Sequence, residues 1–197
     1  ALESARTLGF TTLEINVQNS LASTLLAGER LDEATTRLDE GIALARRADD
    51  HNLLTKLLLN RSLLQKKRAD AGGDATVIAA GIASAKEALS LAQALANRYD
   101  EAFCLGQLGT MLRREGRLDA ARATLGRSLA LAGALDEPHL QAEAQVELGR
   151  VALGGGELDE ALSHTEAALP LAERTREREL QGEVLSALSN VHERRGE

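Results

Sequence analysis

The sequence predicts an all-α protein, a solenoid of about nine antiparallel helices stacked as hairpins over residues 1–197. Three observations carry this. The stretch GRLDAARATLGRSLALA at 116–132 returns forty residues later as GELDEALSHTEAALPLA at 156–172. Ala5, Ala45, Ala92, Ala132 and Ala172 form one column of five identical residues, in steps of 40, 47, 40 and 40. The composition is 44% hydrophobic but 2% aromatic with two prolines, so any core is aliphatic and rich in good helix formers. Long alternating β-branched runs are absent, and strands are not expected.

Two more columns of small residues keep the same steps. They are Ala22, Ser62, Gly109, Gly149, Ser189 and Ala1, Gly41, Ala88, Ser128, Ala168. Where two helices cross closely, a large side chain would hold their axes apart, so Gly, Ala or Ser belongs at the crossing. Leucines beside the crossing supply the buried area, roughly 1.5–3 kcal/mol each when fully covered. One hairpin cannot hide its own apolar stripe, so it must stack on the next.

The elements follow in order. Residues 1–8 read as the tail of a second helix. Repeats then occupy about 10–49, 50–97, 98–136 and 137–176, with a partial unit at 177–197. Both ends fall within a repeat, and the parent chain is expected to continue on both sides. The first helix of a unit runs to a glycine turn at Gly28, Gly116, Gly156 or Gly196, since glycine suits the left-handed residue after a helix. Leu31-Asp32, Leu118-Asp119 and Leu158-Asp159 open the second helices, their acidic residues beside the positive helix end. Ala121, Leu125, Ser128, Leu129 and Ala132 then mark one buried stripe. The second repeat carries seven extra residues, about two helical turns, which predicts two longer helices meeting at a tip near Ala71 to Asp74. Pro170 falls inside a second helix, where it removes a hydrogen bond and crowds the Glu166 carbonyl, so a kink is expected.

These residues resemble the tetratricopeptide repeat family in its long variant of about forty residues. The carrying positions are Leu105, Leu108-Gly109, Leu112, Ala121 and Leu125 in the third unit. The first unit gives Leu21-Ala22, Leu25, Ala34 and Leu38, and the fourth Leu148-Gly149, Ala152, Ala161 and Thr165. The family's aromatic positions hold Leu, Ala or Thr here. The resemblance implies a right-handed α-α superhelix whose first helices line a concave groove. Groove positions carried over are Asn16, Asn19, Lys56, Asn60, Lys67, Gln107, Thr110, Arg113, Arg114, Arg150 and Asn190. Lys66, Glu147 and Glu183 fall on the same helices. Asparagine amides can donate and accept along an extended peptide. With Lys56, Lys66, Lys67, Arg113 and Arg114 the middle of this face is basic, which points to an acidic or C-terminal peptide as partner.

Charge and chemistry narrow the function further. A net charge of −7 and two per cent aromatics argue against nucleic acid, which needs a basic face and stacking platforms. No unbroken apolar run reaches membrane-spanning length. Cys104 is the single cysteine, so no internal disulfide or thiolate metal cage forms, and a cytoplasmic location is expected. His51, His139, His164 and His192 make no metal-binding motif, and the four-residue spacing of His139 and Glu143 is one any helix offers. Gly154-Gly155-Gly156 follows a helix and lacks the lysine of a phosphate loop, so it reads as a turn. No enzyme activity, cofactor or metal is expected. Two readings of function remain. One is a scaffold whose concave groove binds protein or peptide. The other is the regulatory or sensor segment of a larger bacterial signalling protein (a transcription regulator, kinase or cyclic-dinucleotide enzyme) acting within its own chain. Exposed solenoid ends also allow an end-to-end homodimer.

Overall fold

A computed structural model describes the backbone of residues 2–196 and the side chains of residues 10–196. Among them are nine α-helices, and the fold is an all-α helical repeat. The chain clusters into two compact units, residues 1–97 and 98–197, divided between the second and third repeats.

The first unit holds α1 (Leu2–Ala27), α2 (Leu31–Ala48), α3 (His51–Asp70) and α4 (Ala75–Ala94). The expected break after residue 8 is absent: α1 runs unbroken through Gly9. At the later junctions Asp49, Ala96, Asp136 and Arg176 turn left-handed, and a polar residue follows each. At the next of these, Asp50 caps α3 by accepting from the Leu53 amide. Phe10 stands in that place after Gly9 and has no acceptor to start a new helix. Ala1 lies outside the described residues, and so does the side chain of Ala5. The first turn also departs from expectation. Glu29, not Gly28, takes the left-handed conformation, with φ of 57°. Register decides this, because the Arg30 amide must reach the Leu25 carbonyl as Arg117 reaches Leu112 and Glu157 reaches Ala152.

The extra residues of the second repeat lengthen α3 and α4 to 20 residues each, against 17 or 18 for α5 to α8. Each gain is somewhat less than a turn, and the remainder forms the tip at Ala71–Asp74. There Gly72 is left-handed, and Asp74 caps α4 by accepting from the Thr76 and Val77 amides. Helix α4 is alanine-rich, and by length and composition alone it could cross a membrane. Its Gly81, Ile82, Ala85, Ala88 and Ala92 stripe is buried, and its Glu87 pairs with Arg46 of α2.

The second unit holds α5 (Arg98–Arg114), α6 (Leu118–Ala134), α7 (Pro138–Gly155), α8 (Leu158–Thr175) and α9 (Arg178–Arg195). Pro138 opens α7 at a position whose amide needs no helical partner. Helix α8 continues through Pro170 to Thr175. Pro170 and Glu166 are both exposed, so water can serve the carbonyl that lost its amide.

The small columns sit inside the packing. Ala45, Ala92, Ala132 and Ala172 are fully buried, as are Ala22, Ser62, Ala88 and Ala168. Ser189 is the exception and is exposed, because no second helix follows α9 among the described residues. Ala168 and Ala172 pack with Leu180 and Val184 of the next hairpin and with Ala142 and Val146 of their own. On α1 the counterparts of Leu180 and Val184 are Leu13 and Val17, which are 60% and 48% exposed. With Phe10 and Leu21 they form an open apolar stripe on that helix.

Candidate functional site

The first helices carry every side chain that the resemblance assigns to a groove. In the first unit these are α1 and α3. Asn60 on α3 donates through Nδ2 to Asn19 Oδ1 at 2.9 Å and to Ser23 Oγ at 3.0 Å, tying the two helices together with polar atoms. Asn16 bends back to the Thr12 carbonyl at 3.0 Å. Lys56 is exposed, Lys66 and Lys67 are half-buried, and none of the three makes an ion pair among the described residues. Arg68, one residue on, reaches Asp32 and Thr35 of α2.

In the second unit α5, α7 and α9 carry an alternating ladder of charge. Arg113 Nε donates to Glu147 Oε2 at 2.9 Å. Arg150 Nη1 donates to Glu147 Oε1 at 2.5 Å and to Glu183 Oε1 at 2.8 Å. The Glu147 side chain is only 6% exposed. Burial works against the charge on Arg150, but Glu147 and Glu183 more than offset it and hold its pKa above the usual guanidinium value. Two arginines face two glutamates, so this part of the face is neutral rather than basic. The spacings of 34 and 33 residues between partners match one first helix to the next.

Two carried-over residues are buried. Gln107 and Thr110 are 5% and 3% exposed, and Thr110 bonds back to the Gly106 carbonyl. Arg114 is half-buried at the end of α5, and Asn190 is exposed on α9. Asn190 and Arg150 border an open pocket of about 310 Å³, its mouth included, between α7, α8 and α9. Sequence reasoning did not single out this pocket.

The remaining candidates resolve into structure. Cys104 is fully buried, and burial, with help from Asp100, pushes its thiol up to about 12. His139 lies 3.1 Å from Glu177 and 3.7 Å from Glu143. Among the described residues no three His, Cys, Asp or Glu side chains gather to hold a metal. Gly156 is the left-handed residue after α7. Asp39 pairs with Arg61, and Glu40 accepts from Gln18 and Arg37.

No family model matches the sequence, and no curated protein sequence matches it. Solved structures do share its fold. A kinesin light chain-like protein of Podosopora anserina with nearly identical TPR-like repeats superposes with a TM-score of 0.66, at 14% identity, over 92% of this chain and 86% of that one. BtubC of P. vanneervenii gives 0.69 at 14% identity, over 98% and 84%. A signal transduction ATPase with numerous domains from Pyrococcus horikoshii, bearing a tetratricopeptide repeat sensor, gives 0.72 at 14% identity. That match spans 92% of this chain and 27% of the ATPase. The chain therefore has the fold of a TPR-like helical-repeat protein.

Proposed function

We propose that this chain is a binding module that holds a protein or peptide against its first helices, without catalysing a reaction. The observation that supports this most is that polar side chains are held in place on the first helices of each unit. Asn60 is locked to Asn19 and Ser23, and Arg113, Glu147, Arg150 and Glu183 brace one another across three helices. Side chains held in place before a partner arrives lose less entropy when it binds. Each unit has its own such face, and the two differ in charge. On α3, Lys56, Lys66 and Lys67 make no ion pair among the described residues and can take an acidic segment. On α5 and α7, Arg113 and Arg150 are already matched by Glu147 and Glu183, which favours an uncharged stretch beside them. A reducing, cytoplasmic setting fits the single buried cysteine.

A sensor role inside a longer signalling protein is the second reading. It is favoured by the likeness to the repeat sensor of the multidomain ATPase, of which this chain matches about a quarter. The bound segment would then come from the same polypeptide. End-to-end pairing of two copies is a separate proposal. In such a pair the Phe10, Leu13, Val17, Leu21 stripe of one copy would meet that of another, on a stretch of α1 from Phe10 to Ala27 that carries Glu14 as its only charged residue. Two such faces meet with little repulsion despite the net charge of −7. Light scattering of Leu13→Glu against the parent protein tests it: the parent runs as a dimer and the variant as a monomer, and a monomeric parent overturns it.

A random peptide array tests the binding reading. The expected result is a set of related peptides whose signal falls at least tenfold in Asn60→Ala or in Asn190→Ala. If no peptide binds, or binding ignores both substitutions, the reading is wrong.

A further inference from the structure

We infer that the pocket between α7, α8 and α9 is a subsite for one uncharged aliphatic side chain, of valine or leucine size, from the bound segment. This rests on the binding reading above and adds what one part of the face selects. The repeat itself shows how the pocket arises. One unit earlier, the positions equivalent to Thr165, Ser186 and Ala187 hold Leu125, Val146 and Glu147, all buried. The pocket opens beside three residues smaller than the buried ones of the unit before. Val191 and Leu153 form the apolar part of a lining that is otherwise mostly polar, and its volume of about 310 Å³ includes the mouth. The space its side chains enclose is about 60 Å³, far below the roughly 300–1,000 Å³ of ligand pockets, so it suits a single side chain rather than a cofactor.

The polar rim decides what kind of side chain. Arg150 borders the pocket, but its guanidinium already serves Glu147 and Glu183. An incoming carboxylate would face those two carboxylates, and an incoming ammonium would face Arg150. Either ion would leave water without an unshared counter-charge, which is costly. The Thr165 hydroxyl is turned back onto the Ala161 and Leu162 carbonyls, so it offers no donor to the pocket. Ser186 and Asn190 make no hydrogen bond among the described residues. They stand at the rim, placed to meet a peptide backbone while its side chain enters.

The test uses blocked single residues as probes: N-acetyl N-methylamides of valine, leucine, aspartate and lysine, added at millimolar concentration to the labelled protein. The amide resonances of Gly149, Ser186, Asn190 and Val191 report on the pocket. Valine and leucine probes are expected to shift these resonances saturably, at least fivefold more strongly than aspartate or lysine. The double substitution Thr165→Leu, Ser186→Val restores the side chains of the preceding unit, so it should fold and should abolish the shifts. The inference is overturned if no probe saturates, if a charged probe binds as well as valine, or if the filled variant responds like the parent. These probes share nothing with the peptide array. Peptides that bind while valine probes fail leave the groove standing without this subsite. Valine probes that bind while every peptide fails leave a pocket without a groove.

Discussion

A Cβ placed on Gly109 would stand 2.5 Å from Cγ of Leu125, a fully buried side chain of the partner helix. The close crossing of α5 and α6 therefore depends on a missing methyl group. Gly109→Ala is expected to lose about 1–3 kcal/mol, because overpacking a filled core forces strained rotamers or backbone shifts. Urea unfolding measures it. Combining it with Leu125→Thr, the residue found at position 165, should recover part of the loss. A double variant no better than Gly109→Ala would show that the strain lies elsewhere.

Glu147 is the shared acceptor of two arginines and is nearly out of water. Glu147→Ala leaves Arg113 and Arg150 without that partner, and these side chains are 21% and 28% exposed. Breaking a buried pair costs about 3–5 kcal/mol, and their partial exposure brings the expectation to about 2–4. Glu147→Gln should lose less, since its amide oxygen still accepts. Replacing Arg113 and Glu147 together by methionine and leucine should cost less than Glu147→Ala alone. Denaturant unfolding of the set distinguishes a stranded charge from lost packing.

Much of this fold was legible because small residues at helix crossings answer to sterics, and sterics repeat with the unit. The columns at Ala45 and Ala132 could be found by counting. The left-handed residue of the first turn was not, because Gly28 is the residue type the turn prefers while Glu29 is the position the hydrogen bonds demand. The ladder through Glu147 was only half visible. Its residues lie at groove positions, but pairing across 33 or 34 residues depends on which rotamers meet. The pocket was invisible as a motif, since it consists of volume missing at Thr165, Ser186 and Ala187 on two different helices. Nor does the column spacing mark the division of the chain at residue 97.

The first turn gives a prediction of its own. Glu29 holds φ at 57°, a region that costs most side chains about 1–2 kcal/mol and glycine almost nothing. Part of that gain returns to the unfolded chain, which glycine makes more flexible. Glu29→Gly should therefore raise stability by about 0.5–1 kcal/mol. Gly116→Ala, at the equivalent turn where φ is 83°, should lower it by about 1 kcal/mol. Thermal unfolding reads both, and equal signs for the two changes would refute the assignment of the turn.

Cys104 makes stability fall in alkali. Its thiol has an ordinary value near 9 and is pushed up to about 12 in the folded protein, first by burial and then by Asp100. The folded state thus holds the proton more tightly than the unfolded chain. The stability this represents is fully present below pH of about 9 and is lost as pH rises toward about 12. Cys104→Ala should flatten that part of the pH profile, at the expense of a small cavity visible at neutral pH. Because the thiolate is the reactive form, native Cys104 should also resist iodoacetamide at pH 8 until the chain unfolds. Labelling at the rate of a free thiol, in protein shown to be folded by its helical signal, would mean that the sulfur reaches water and that the packing between α5 and its neighbours is looser than drawn.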